Sequence, residues 1–185
     1  GRFDVTIDKG VRAGTSQAYL ASARSRPNLE IRTGFRVLGL ELVDKRVVGV
    51  RVLQGSRSDV IRCEREVILS AGAFSSPHLL MLSGIGPADH LRDHGVDVVH
   101  DLPGVGKNLR DHPSACVLFH TAGERPDVQA PVIQVGLRYT VEGSGIRNDM
   151  QISPMLMTSE HRPAQVEIDD DRNYIGLSAS LQLAM

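Results

Sequence analysis

The sequence predicts a mixed α/β fold, α+β in its arrangement, and three observations predict it. Short β-rich segments punctuated by turn residues fill positions 29 to 70. A strand-to-helix corner of small residues follows at 71 to 87. Beyond Pro113 the texture changes to strand-like runs separated by polar, Pro- and Gly-bearing segments. A boundary at that point divides the chain into residues 1–113 and 114–185.

The elements follow in order. Thr15 to Arg24 reads as a short helix, alanine-rich, with Ser16 near its start and Pro27 beyond its end. Leu29 to Thr33 alternates as a strand. Phe35 to Val43 and Arg46 to Leu53 form two more strands at hairpin spacing, divided by Asp44-Lys45. Asp59 to Cys63 continues this β-meander, and Val67 to Ser70 is apolar enough for a strand covered on both faces. The corner then re-enters as a helix that Ser76 can cap and Pro77 can start. Gly84 to Gly86 stops it. Pro87 to His94 is a second helix ended by Gly95, with a strand at Val96 to Val99. In the later part, Ala115 to Thr121, Val132 to Tyr139, Met150 to Met157 and Leu177 to Ala184 are the expected strands. The last runs almost to Met185, and a terminal strand without a return partner leaves backbone groups unpaired, so the chain reads as unfinished.

Bulk properties exclude several classes. Lysine plus arginine number 21 against 22 acidic residues, so no strong field draws in nucleic acid or an anionic membrane. No run approaches the roughly 18 apolar residues that a membrane span needs. Cys63 and Cys116 lack CxxC spacing and suggest neither a zinc site nor a disulfide framework. They fit a reducing compartment, and a cytoplasmic location is the expectation.

The corner carries the functional signal. A strand handing over to a helix through residues without bulky side chains lets bare backbone approach a phosphate or cofactor edge, where first-turn N–H groups point outward. Its spelling is specific: Gly72, Ser75-Ser76-Pro77, Leu79-Leu80 and Ser83-Gly84-Ile85-Gly86. Around it, in order, stand Ser16-Gln17-Ala18-Tyr19-Leu20, Arg26-Pro27-Asn28-Leu29 leading into Thr33-Gly34, Val48-Gly49-Val50, and Asp101-Leu102-Pro103-Gly104-Val105-Gly106-Lys107-Asn108-Leu109-Arg110-Asp111-His112-Pro113.

This set resembles the glucose–methanol–choline (GMC) flavoprotein oxidoreductases, in their choline-dehydrogenase-like form, over residues 11 to 113. The resemblance implies that residues 1–113 are a central piece of a GMC-type FAD-binding domain. Residues 114–185 would open a substrate domain built on an antiparallel sheet. It also implies FAD as cofactor, a small-molecule alcohol as substrate, an electron acceptor of unspecified kind, and further N- and C-terminal parts of the same fold. Three positions match residues that face the flavin nucleotide through their backbone: Val37, Ala71 and Gly72. Val37 alone reads as strand packing, whereas Gly72 has an independent case, since glycine between strand and helix marks close backbone approach.

Other polar groups read as structural. Asn108, Asp111 and His112 suggest a base with an orienting carboxylate, but neighbours on an extended strand point apart. Structural hydrogen bonding is the reading favoured. His90 and His94 have the i, i+4 spacing of metal ligands, without the Glu of a metalloprotease helix, and a solvated face is expected. Gly104 to Lys107 fails as a phosphate loop, because Asp101 and Asn108 stand where glycine and Ser or Thr are needed. No GxSxG elbow is present. The acidic run Glu167, Asp169, Asp170, Asp171 lacks the spacing of a calcium loop and reads as a solvated segment.

The sequence has no Gly-x-Gly-x-x-Gly turn to take a pyrophosphate. The histidine motif that the family carries near its C-terminus is absent too, so no catalytic residue and no metal ligand is assigned. The resulting expectation is an internal fragment of a flavoenzyme that oxidises a primary alcohol to an aldehyde, inactive alone. The alternatives are a non-catalytic remnant or binding module of the same fold, and one half of a split flavoenzyme.

Overall fold

The computed structural model describes residues 7–122, 133, 135–157, 167–168 and 173–182. Two compact units result, Ser22–Arg110 and the described parts of Gly1–Ala21 with Asp111–Met185.

The unit Ser22–Arg110 is built on three antiparallel strands in sequence order: β1 (Arg36–Val43), β2 (Arg46–Gln54) and β3 (Arg57–Arg62). Asp44 and Lys45 have φ of 48° and 66°, and Val43 pairs with Arg46. Two left-handed residues in a two-residue loop match the right-handed twist of the strands they join. Register shifts at Val37/Gly39 and Glu41/Leu42 bend β1. Helix α1 (Gly72–Leu82) packs on β1, and Leu40, Val52 and Leu91 are buried in this unit. Gly49 is required where β2 meets β3, because a Cβ there would lie 2.6 Å from the Ile61 carbonyl oxygen. Helix α2 (Ala88–Asp93) is followed by Gly95 at φ 68°. Asp101 Oδ1 accepts the Ala88 amide at 3.0 Å, closing the first turn of α2 from outside. Ile85–Gly86 and His100–Asp101 form a parallel two-residue ladder.

Four expectations change in this unit. Leu29 to Thr33 and Val96 to Val99 belong to no ladder. Val67 to Ser70 is not a covered strand: it pairs with no described segment, and Ile68 is 77% exposed. Alternation and hydropathy raise strand propensity, but a strand exists only where another backbone pairs with it. Helix α1 begins at Gly72, so Pro77 lies inside it and Ser76 is not its cap. Ser76 Oγ instead reaches back and accepts the Ala71 amide at 3.0 Å.

In the other unit, Ile7–Asp8 and Val11–Arg12 pair through Lys9 and Gly10, both at positive φ. A helical stretch follows, π-helical over Ser16–Leu20. The main sheet contains β4 (Ser114–Thr121), β5 (Leu137–Tyr139), β6 (Met150–Met157) and β7 (Asn173–Leu181), in the order β4-β7-β6-β5. The final strand is therefore central, paired on both sides, and the expected unpaired terminal strand is corrected. Residues 183–184, at the end of that expected run, lie outside the described residues, as does Val132. Pro154 on β6 lies opposite Leu177 of β7 and beyond Ile152, the last β6 residue paired with β5 among the described pairs.

The register sorts this sheet into two unlike faces. Directly opposed residues share a face. One face carries Val117, Phe119, Ile175, Leu177, Ile152, Pro154 and Leu137; the other mixes His120, Tyr174, Ser178, Ser153, Gln151 and Arg138 with Cys116, Leu118, Met155 and Met157. The apolar face is open, with Val117 57% exposed, whereas Ser153 and Met157 on the other face are buried.

Candidate functional site

The corner that joins residues 67–70 to α1 is the candidate site. Ala71 precedes the helix with φ −89° and ψ 9°, and no side chain caps the first turn. The amides of Gly72, Ala73 and Phe74 have no acceptor within the helix. Gly72 has φ +89°, and a Cβ built on it would meet nothing within 4 Å. Residues 71 to 75 are exposed, Phe74 to 75%. Glycine is thus demanded here by backbone conformation, and the space beside it is free for a ligand.

The other end of the same helix is sealed. Gly84 has φ +78°, and its Cβ would lie 2.5 Å from the Asp97 carbonyl oxygen and 2.8 Å from Val99. Ser83, Gly84 and Gly86 are buried. Gly106, in the loop that follows Pro103, lies against Met81. The glycine-rich corner therefore divides into an open N-terminal half and a packed C-terminal half.

Val37 lies in β1 opposite Val52, 39% exposed. Helix α1 meets this strand through its C-terminal end, where Ser83 contacts the backbone at Leu40. Gly72 is eleven residues away along the helix, about 16 Å at 1.5 Å per residue. Val37 and the Ala71–Gly72 pair thus lie on different elements of one unit, β1 and the head of α1.

The remaining polar groups are held by backbone. His112 Nδ1 lies 2.9 Å from the Leu181 carbonyl, and Asp111 Oδ1 accepts the His112 amide at 2.8 Å. Asp111 and His112 do not face one another as base and orienter. His120 and Tyr174 meet edge to face at 5.8 Å. Cys63 and Cys116 are free thiols. Among the described residues no group of three His, Cys, Asp or Glu is placed to hold a metal, and Asp169 to Asp171 of the acidic run lie outside them. A shallow depression lined by Arg92, Gly95, Val96, Asp97 and Val98 includes none of Val37, Ala71 and Gly72. No helix among the described residues is long and apolar enough to cross a membrane.

Sequence reasoning missed two features. One is the Ser83 contact with β1, which no local pattern encodes. The other is the sheet face that gathers Gln151, Ser153, Ser178 and Ser180, visible in their alternation once strand register is known.

The fold is that of FAD-binding oxidoreductases. Pyridoxine 4-oxidase from Mesorbium loti is similar with a TM-score of 0.77 at 28% identity, covering 95% of this chain and 35% of that one. A formate oxidase aligns at TM-score 0.81 and 20% identity over 95% of this chain and 38% of its own, a likeness of fold alone. The family model described as GMC oxidoreductase matches residues 1–114, and the chain belongs to this family. An oxygen-dependent choline dehydrogenase from Brucella ovis is 50% identical over 113 residues, 60% of this chain and 20% of that protein. One from Serratia proteamaculans is 43% identical over 155 residues, 79% of this chain and 28% of its own. The chain thus spans between 20% and 28% of the length of these relatives.

FAD is the cofactor that goes with this family, and the open corner fits it in one respect. A left-handed glycine with no Cβ, free space beside it and exposed first-turn amides form a cradle for a flat or anionic group.

Proposed function

We propose that this chain is part of an FAD-dependent oxidoreductase that oxidises a primary alcohol, choline or a similar compound, to an aldehyde. The observation that carries the reading is Gly72, left-handed and open at the head of α1, in a chain half identical over 113 residues to a choline dehydrogenase.

In this reading the backbone of Ala71 and Gly72 lies against the flavin end of FAD, and the backbone of Val37 lies beside the adenine. Bound FAD would supply the acceptor for the hydride leaving the alcohol carbon, while the hydroxyl proton passes to a base. No residue of this chain is assigned as that base. Residues 1–113 belong to the FAD-binding domain and residues 114–185 to the substrate domain. There the sheet face with Gln151, Ser178 and Tyr174 is turned to substrate, and the apolar face with Val117 and Phe119 is backed by further polypeptide. A sheet buries its apolar face first, which leaves hydroxyls and amides for a polar ligand.

The 185 residues alone hold FAD weakly or not at all, because they carry no Gly-x-Gly-x-x-Gly turn to take the pyrophosphate. The test of activity uses protein expressed from the complete reading frame. Anaerobic choline should bleach its flavin absorbance near about 450 nm and yield the aldehyde. Unchanged absorbance with choline and with other primary alcohols would refute the assignment.

A further inference from the structure

The pair His90 and His94, on α2, plays no part in the flavin reading. Both are exposed, one helical turn apart, and their rings lie with centroids 4.5 Å from each other at a tilt of 46°. Two imidazoles at i and i+4 whose rings lie this close can share one ion. The hydrogen bonding of His94 adds a second, independent observation. Its Nδ1 lies 2.9 Å from the His90 carbonyl oxygen. A carbonyl only accepts, so Nδ1 carries the proton and the lone pair is left on Nε2. A backbone carbonyl holding the other ring nitrogen is how metal-ligating histidines are commonly oriented.

The surroundings favour a cation. His94 is the C-terminal cap of α2, where the last-turn carbonyls give a partial negative charge. Asp93 stands three residues after His90, on the same side of the helix. The neighbouring guanidinium of Arg92 is held at 2.8 Å by Asp89, so its charge is largely offset.

We propose that His90 and His94 form a two-histidine chelate for a divalent late first-row transition ion, with water completing the shell. Imidazole nitrogen selects zinc, nickel or copper over magnesium and calcium, which require oxygen ligands. Copper(II) binds more tightly than zinc(II) at such a site.

The test is calorimetric titration of the 185-residue chain with zinc(II), alongside magnesium(II). One saturable equivalent of zinc is expected and no magnesium binding. His90→Ala and His94→Ala should each lose it, and His78→Ala should retain it. Absence of saturable zinc binding, or retention in both single variants, overturns the proposal. A readout on the unaltered chain guards against misfolded variants. Substoichiometric copper(II) should broaden amide resonances of residues 88–97 first, and broadening centred on His112 or His120 instead would overturn it.

Discussion

The Leu40 amide donates to Ser83 Oγ at 2.8 Å across forty-three positions of sequence, and the same hydroxyl donates to the Leu79 carbonyl at 2.6 Å. One buried hydroxyl thus ends helix α1 and supplies an acceptor at the bend of β1, between its two register shifts. Gly39 leaves room for this: a Cβ there would lie 3.1 Å from Ser83 Oγ and 2.9 Å from the Arg51 guanidinium. Ser83→Ala removes the acceptor and strands a buried N–H, which costs about 1–3 kcal/mol. Urea unfolding followed by circular dichroism should show a lowered midpoint. An unchanged midpoint would mean that Leu40 is satisfied some other way.

Gly84 and Gly95 are both left-handed, with φ of 78° and 68°, but only Gly84 is hemmed in by other atoms. Gly95→Ala should cost about 1–2 kcal/mol, the penalty of the left-handed backbone alone. Gly84→Ala adds a clash with the Asp97 backbone, and overpacking contributes a further ~1–3 kcal/mol. Thermal melts of the two variants should rank accordingly.

Asp149 is 5% exposed in the loop between β5 and β6, where its Oδ1 accepts the Val141 amide at 3.0 Å. The Ser144 hydroxyl first, then that amide, hold its carboxyl below the ordinary aspartate value. The folded value is lower than the unfolded one, about 3.9. The stabilisation is therefore complete above the unfolded value and is lost as pH falls through it toward the folded value. Asp149→Asn should melt earlier than the parent at neutral pH, with the gap closing below about pH 4. A gap that persists at low pH would contradict the charge-based account.

Flavin fluorescence titration of the 185-residue chain should give a shallow, non-saturating curve. The open corner offers backbone to the flavin but no glycine-rich turn to the phosphates. Tight saturation would contradict this.

Local chemistry made part of the architecture legible. Asp44-Lys45 specified its hairpin, Gly95 specified the end of α2, and the runs at Ala115 to Thr121 and Met150 to Met157 became β4 and β6. Long-range pairing was not legible. Val67 to Ser70 has the composition of a buried strand but no described partner, and the last strand proved central because β4 and β6 both return to it. The head of α1 misled for a different reason: Ser76 and Pro77 carry cap and first-turn signals, yet the left-handed Gly72 starts the helix earlier. Of the site, Gly72 could be read because glycine between strand and helix has a physical reason. Val37 came only through family resemblance.

The most direct measurement is hydrogen–deuterium exchange at the amides of Ala71 to Phe74, in protein from the complete reading frame, with FAD bound and after it is stripped. If bare backbone at this corner abuts the nucleotide, exchange there slows on binding, and Gly72→Val abolishes both the slowing and the yellow colour. Equal exchange at these amides in the two states, in protein that retains its flavin, would contradict the account.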